Sequence, residues 1–382
     1  MGNGTQQHLS FAERIVKGHY FLKLEEAIQK QPDPFGRGEQ LHLTGSAAVY
    51  LMRKHGLIRD IIPKIPNDAD IGIYSDRPEL QMPDSAHRHL LQVVLGAAEE
   101  LGMQAVDTET GRKVLTHGSQ PLQFQLQFEV SGHEVAAIIG KRPDVVLEDL
   151  PATMPLSLDI QLMPYHNAML NPTARAPGHA EDGGVVLHYG DMRDSLAVKI
   201  VRGLAPERQN PHDLVDMYNI VTATPALVDM QADRDLLRVL AVCTMACRGV
   251  TEQEINLDRY VPDREHLDEV RNTIKIYGER VTLNDRFARM LIEKAGEITE
   301  AVFPKPENGA GILLEQEREF IRGILEPESR RVTLNIHVEL LQEAYPETFR
   351  KHPELERNIL HNTFIQDKVR VRGEDVFSPG LM

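Results

Sequence analysis

The residues best placed to do chemistry are Asp68 and Asp70, set either side of Ala69 at the start of an apolar run that ends at Tyr74. Side chains alternate faces along a strand, so both carboxylates point one way, with Ala69 and Ile71 on the other side. Two close carboxylates repel unless a cation or strong donors sit between them. Hard oxygen ligands of this kind suit Mg²⁺, with Mn²⁺ as the alternative, bound together with substrate phosphates. Other acid-x-acid pairs occur at Asp107/Glu109, Asp233/Asp235, Glu252/Glu254 and Glu315/Glu317, and their ordinary reading is a solvated face. Context separates Asp68/Asp70 from these. Upstream, a short strand over 41–43 runs through Gly45-Ser46 into a helix over 47–55. Glycine permits a close backbone approach, and Ser46 with the helix N-terminal N–H groups can hold a phosphate.

Transfer of phosphoryl or nucleotidyl groups gains from a second metal, which needs a further carboxylate. Two candidates lie on later strands. Asp159 stands between Leu158 and Ile160, where a central strand would demand a reason for an acid, whereas Glu129 ends the polar side of an alternating strand. Burial cost favours Asp159. A further cluster follows: Lys199 in an apolar helix, Arg202 three residues on, Arg208, then Asp213 and Asp216 sharing a helix face. Each alone reads as a surface ion pair; together they could neutralise triphosphate charge and position an acceptor.

The elements that must carry these residues are mixed. A helix is predicted over 11–31 with Ser10 as its N-cap, and another over 85–101. Strands are predicted over 41–43, 68–74, 104–108, 122–130, 154–163 and 185–189. The fourth alternates Leu122, Phe124, Leu126 and Phe128 with Gln123, Gln125, Gln127 and Glu129, the period of an antiparallel strand with one buried face. Beyond about residue 190 the pattern is helical, over 195–204, 212–221, 234–248, 266–277, 284–301, 312–325 and 338–344. The expected fold class is α/β (α+β), a mixed sheet flanked by helices, with residues 1–222 as the catalytic domain and 223–382 as a helical C-terminal region.

Composition is that of a globular chain, with 41% hydrophobic and 26% charged residues. No run approaches the roughly 18 apolar residues of a membrane span, and the first ten residues carry no signal pattern, so no membrane association and a cytoplasmic location are expected. Net charge of −15 argues against tight non-specific nucleic-acid binding while leaving room for a local basic patch, for which Arg53, Lys54, Arg59 and Lys64 are the candidates. Cys243 and Cys247 have no partner ligands nearby in sequence and read as buried side chains of a core helix.

Together, Gly45-Ser46, Asp68-Ala69-Asp70, Ala197-Val198-Lys199-Ile200, Arg202 or Arg208, and His212-Asp213-Leu214-Val215-Asp216-Met217 resemble the motifs of the AbiEii/AbiGii toxin family of nucleotidyltransferases, which includes the MenT-like toxins. The resemblance covers roughly residues 38–222, and His212 stands where that family usually has Arg. It implies a nucleotidyltransferase fold in which Gly45 and Ser46 contact phosphate and Asp68 and Asp70 bind Mg²⁺. Lys199, with Arg202 or Arg208, would bind the triphosphate, and Asp213 would act near the acceptor. It further implies an NTP substrate, transfer to tRNA, and a toxin role opposite a cognate antitoxin or in phage defence. Two other readings stay open: the same chemistry on a small cationic molecule or a protein, and a non-catalytic interaction protein on the same fold.

Overall fold

The computed structural model describes residues 3–35, 39–59, 62, 64–77, 83–115, 122–140, 152–163, 167–178, 183–205, 211–223, 228–274, 285–305, 311–325 and 334–371. The chain divides into two compact units, 1–165 with 172–190 and 271–284, and 166–171 with 191–270 and 285–382. The helices bearing Lys199 and Asp213, which the sequence groups with residues 1–222, thus cluster with the second unit.

The first unit is mixed α/β. Its helices are α1 (Asn3–Lys30), α2 (Gly45–Lys54), α3 (Pro83–Glu100) and α4 (Gly132–Ile139). Its strands are β1 (Glu39–Thr44), β2 (Asp68–Ser75), β3 (Gln104–Asp107), β4 (Gln123–Ser131), β5 (Thr153–Leu162), β6 (Ala174–Arg175) and β7 (Leu187–Tyr189). They form one seven-stranded sheet in the order β3-β4-β5-β2-β1-β7-β6. Pairing is parallel between β5 and β2 and between β1 and β7, and antiparallel elsewhere. From Gln123 on, strand β4 realises its period of two, with Phe124, Leu126, Phe128 and Val130 buried and Gln123, Gln127 and Glu129 exposed, whereas Leu122, expected on the buried face, precedes the strand and is exposed.

Helix α1 buries Ala12, Val16, Tyr20, Leu24 and Ile28, a spacing of four that lays one stripe on the core. It begins seven residues before the N-cap expected at Ser10, because serine inside a helix costs only a few tenths of a kcal/mol and no proline interrupts the segment. Ser131 caps α4 by accepting a hydrogen bond from the Glu134 N–H at 3.2 Å, and Gly140 ends it with φ +68°.

The second unit is helical: α5 (Met192–Leu204), α6 (Pro211–Ala223), α7 (Arg234–Arg248), α8 (Arg264–Ile274, whose last turn counts with the first unit), α9 (Asp285–Val302), α10 (Glu315–Leu325), α11 (Leu334–Ala344), α12 (Pro346–Lys351), α13 (Glu354–His361) and α14 (Thr363–Val371). Helix α7 is its centre, since every residue from Leu236 to Ala246 is buried, Cys243 among them. Burial pushes the Cys247 thiol up to about 12 and the Cys243 thiol well above its ordinary value, so both are protonated, Cys243 in the core and Cys247 half-buried at its edge. Arg238 of α7 forms a two-pronged pair with the wholly buried Glu317 at 2.6 and 2.8 Å, and the Tyr345 hydroxyl donates to the same carboxylate. Among the described residues no helix is long and apolar enough to cross a membrane.

Candidate active site

Strand β2 lies between β5 and β1 in the sheet, and each neighbour contributes to what surrounds its two carboxylates. The alternation expected of residues 68–71 is present: Ala69 and Ile71 are buried, Asp68 is exposed and Asp70 half-buried. On the β5 side the parallel register sets Asp159 directly beside Asp68 and Gln161 beside Asp70. Paired positions on adjacent strands point to the same face about 4.8 Å apart, so Asp159, Asp68 and Asp70 share one face of the sheet. Asp159 is oriented from its other side, where Gln125 of β4 donates to it at 2.8 Å from the opposing position. That amide meets the requirement that a partly buried carboxylate have a partner. Glu129 pairs with Pro155, four residues along β4 and about 13 Å from the Asp159 row. Among the described residues no group of three or more His, Cys, Asp or Glu side chains is placed so that it could hold a metal ion.

On the β1 side the antiparallel register pairs Asp70 with Thr44, the last residue of β1. The chain then turns through Gly45 directly into α2, as Gly45-Ser46 predicts. Gly45 takes φ +67°, a conformation disfavoured for side chains with a Cβ. A Cβ there would also sit 2.7 Å from Asp70 Oδ2. Two constraints therefore fall on one position, one from the backbone and one from the carboxylate beside it. Thr44 itself makes no side-chain cap to α2, and the dipole at this helix N-terminus favours anions. Ser46, in the first turn, accepts a hydrogen bond from the Lys64 ammonium at 3.1 Å. Of the four candidates for a basic patch, Lys64 thus belongs to the site, whereas Arg53 and Lys54 close the last turn of α2, where cations complement the helix dipole.

The remaining site candidates lie in the second unit and are described within it. Lys199 of α5 is 8% exposed and sits between two carboxylates of α6, at 2.7 Å from Asp213 and 3.1 Å from Asp216. Arg202 reaches the other oxygen of Asp213 at 3.1 Å. Burial pulls the Lys199 pKa down, but Asp216 and Asp213 together outweigh it and the net shift is upward. Asp213 and Asp216 face the same way because they stand three apart on α6, whose first residue, Pro211, has no N–H to leave unsatisfied. The cluster read from sequence is therefore a buried two-cation, two-anion network joining α5 to α6. Arg208 lies outside the described residues.

The residues that sequence reasoning did not place in the site are Gln125, which orients Asp159, and Lys64, which reaches Ser46. Gln125 carried a signal in its polar position on the same strand face, but only strand order reveals its partner. Comparison with known proteins adds no relative: no protein-family model matches the chain, and no curated protein matches it.

Proposed function

We propose that this chain is a Mg²⁺-dependent nucleotidyltransferase that moves NMP from an NTP to an acceptor, with tRNA as the acceptor and toxin activity as the biological role. The observation that carries the reaction class is the register of three strands, which sets Asp159 beside Asp68 and brings the Gly45 turn against Asp70. The acceptor and the toxin role rest on the motif resemblance to the AbiEii/AbiGii family, and with them a cognate antitoxin.

The donor set suits the metal. Asp68, Asp70 and Asp159 are oxygen-only groups on one face of the sheet, and Mg²⁺ needs only one or two protein carboxylates while keeping waters and substrate phosphates. The missing Cβ of Gly45 leaves the approach to Asp70 clear. Bound there, the metal would supply charge stabilisation for the attacking and leaving oxygens.

The chain's own groups do the rest. Ser46, Lys64 and the first N–H groups of α2 hold phosphate oxygens, with Lys64 turning from Ser46 to the anion. Gln125 fixes the Asp159 carboxylate. The acceptor hydroxyl attacks the α-phosphorus, its proton passes to a carboxylate base, and pyrophosphate leaves.

Calorimetric titration with ATP and CTP, with and without Mg²⁺, tests this reading. The expected result is metal-dependent binding weakened tenfold or more by Asp70→Asn. Nucleotide binding indifferent to both metal and Asp70 would refute it.

A further inference from the structure

In the second unit a cleft of about 360 Å³ opens between α9 and the short 3₁₀ turn Leu257–Tyr260. Its two walls differ in chemistry. Glu293, Glu297 and Glu300 stand at i, i+4 and i+7 on α9, which places them on one stripe, and all three are exposed. Leu257, Tyr260 and Val261 make the facing wall apolar. Lys305 also lines the cleft, and Lys294 pairs with Glu297 at 2.9 Å.

An acidic stripe alone would be a solvated helix face. Thr299 makes it more. It lines the cleft, is 1% exposed, and its hydroxyl has no hydrogen-bond partner among the described residues. A helical threonine ordinarily satisfies itself on the carbonyl four residues back, as Thr222 does on Tyr218 at 2.6 Å and Thr244 on Leu240 at 2.8 Å. Thr299 does not, so a buried hydroxyl at the cleft awaits an external partner. Gly296 lets the two walls approach closely at this point, because a Cβ there would lie 3.1 Å from Tyr260 Cβ.

We propose that this cleft binds a linear aliphatic polyamine, independently of the nucleotidyl-transfer reading. The spacing selects that chemistry. Neighbouring acids on the stripe have Cβ atoms about 5–6 Å apart, and the stripe spans about 10 Å of helix. That is too long to close on one metal ion and matches ammonium groups separated by three or four methylenes. The ammoniums make charge-assisted hydrogen bonds to the glutamates. The methylenes lie against Leu257 and Val261, and one N–H donates to the Thr299 hydroxyl.

The test is calorimetric titration of the full chain with spermidine at physiological salt, with Mg²⁺ and the uncharged 1,8-octanediol as comparison probes. The expected result is saturable one-to-one binding that Mg²⁺ at matched charge does not displace. Glu297→Gln with Glu300→Gln should weaken it tenfold or more. Thr299→Val, which removes no charge, should weaken it about threefold or more with an unchanged melting temperature. Should Thr299→Val fail to fold, the exposed glutamate pair decides. No saturable binding, binding unaltered in the glutamate variant or in a folded Thr299→Val protein, or equal displacement by Mg²⁺ would each overturn the proposal, the last by reducing it to counterion attraction.

Discussion

Gly45 and Asp70 occupy adjoining space so closely that the glycine's absent Cβ would lie 2.7 Å from the Asp70 Oδ2. The contact joins the turn that opens α2 to the strand that carries the carboxylate pair. It also explains why a glycine and an aspartate 25 positions apart act as one feature.

Gly45→Ala should therefore fail twice. The φ of +67° alone costs an alanine about 1–2 kcal/mol, and the methyl group must displace the Asp70 carboxylate. We expect a lowered urea midpoint and at least a tenfold loss of Mg²⁺-dependent nucleotide binding. Equal stability and binding in variant and wild type would show that the turn does not constrain the carboxylate.

Lys64→Met should separate phosphate recognition from metal binding. Lys64 donates to Ser46 at 3.1 Å, and a charged hydrogen bond is worth about 1.5–3 kcal/mol. Affinity for ATP should fall about tenfold more than affinity for AMP, with the melting temperature within a few degrees of wild type. An equal loss for both nucleotides would place Lys64 away from the outer phosphates.

Lys199 supplies a stability prediction with a defined pH window. Lys199→Met leaves Asp213 and Asp216 buried beside one remaining cation, Arg202, and breaking a buried pair in this way costs about 3–5 kcal/mol. The folded pKa of Lys199 is raised. Its contribution is therefore fully present below the unfolded lysine value and is lost as pH rises through the folded one. Urea unfolding of wild type and variant should differ by a constant amount from pH 6 to 9 and converge only in strong alkali. Convergence near neutrality would contradict the network.

Asp194 has a dependence of the same sign in a lower pH window. It accepts hydrogen bonds from the Met169 and Leu170 N–H groups, yet burial first, and Asp191 beside it second, push its pKa up to about 8, with Arg193 opposing. Between about 4 and 8 the unfolded chain has lost this proton and the folded chain retains it, so stability falls as pH rises through that window. Asp194→Asn should remove that slope and gain on wild type by on the order of a few kcal/mol at pH 8 relative to pH 5. Parallel pH profiles for the two proteins would show that Asp194 is ionised in the fold.

Much of the first unit is legible in the residues. The alternation of 122–130, the Gly45-Ser46 turn and the D-x-D strand are local patterns with periods that the backbone enforces. What joins Asp159 to Asp68 is strand order, which no local spacing encodes. Burial cost alone favours Asp159 over Glu129, and the strand register pairs Asp159 with Asp68. Helix α4 did carry a signal, Ser131 followed at the third position by Glu134, but at eight residues it is too short to show a period. The second unit hides its charged core more fully. Glu317 reads as half of a solvated acid pair until its hydrogen bonds to Arg238 of α7 and to Tyr345, just before α12, are seen. The Lys199 cluster was visible as a spacing, but its burial was not.

The most direct test of the central claim follows the α-phosphate. Purified protein is incubated with Mg²⁺, total tRNA and each NTP in turn, labelled at the α- or the γ-phosphate, beside Asp70→Asn. The account predicts that the α-label of at least one NTP joins the RNA, that the γ-label leaves as pyrophosphate, and that Asp70→Asn abolishes both. Transfer of the γ-label to RNA, or α-label transfer that survives in Asp70→Asn, would contradict it.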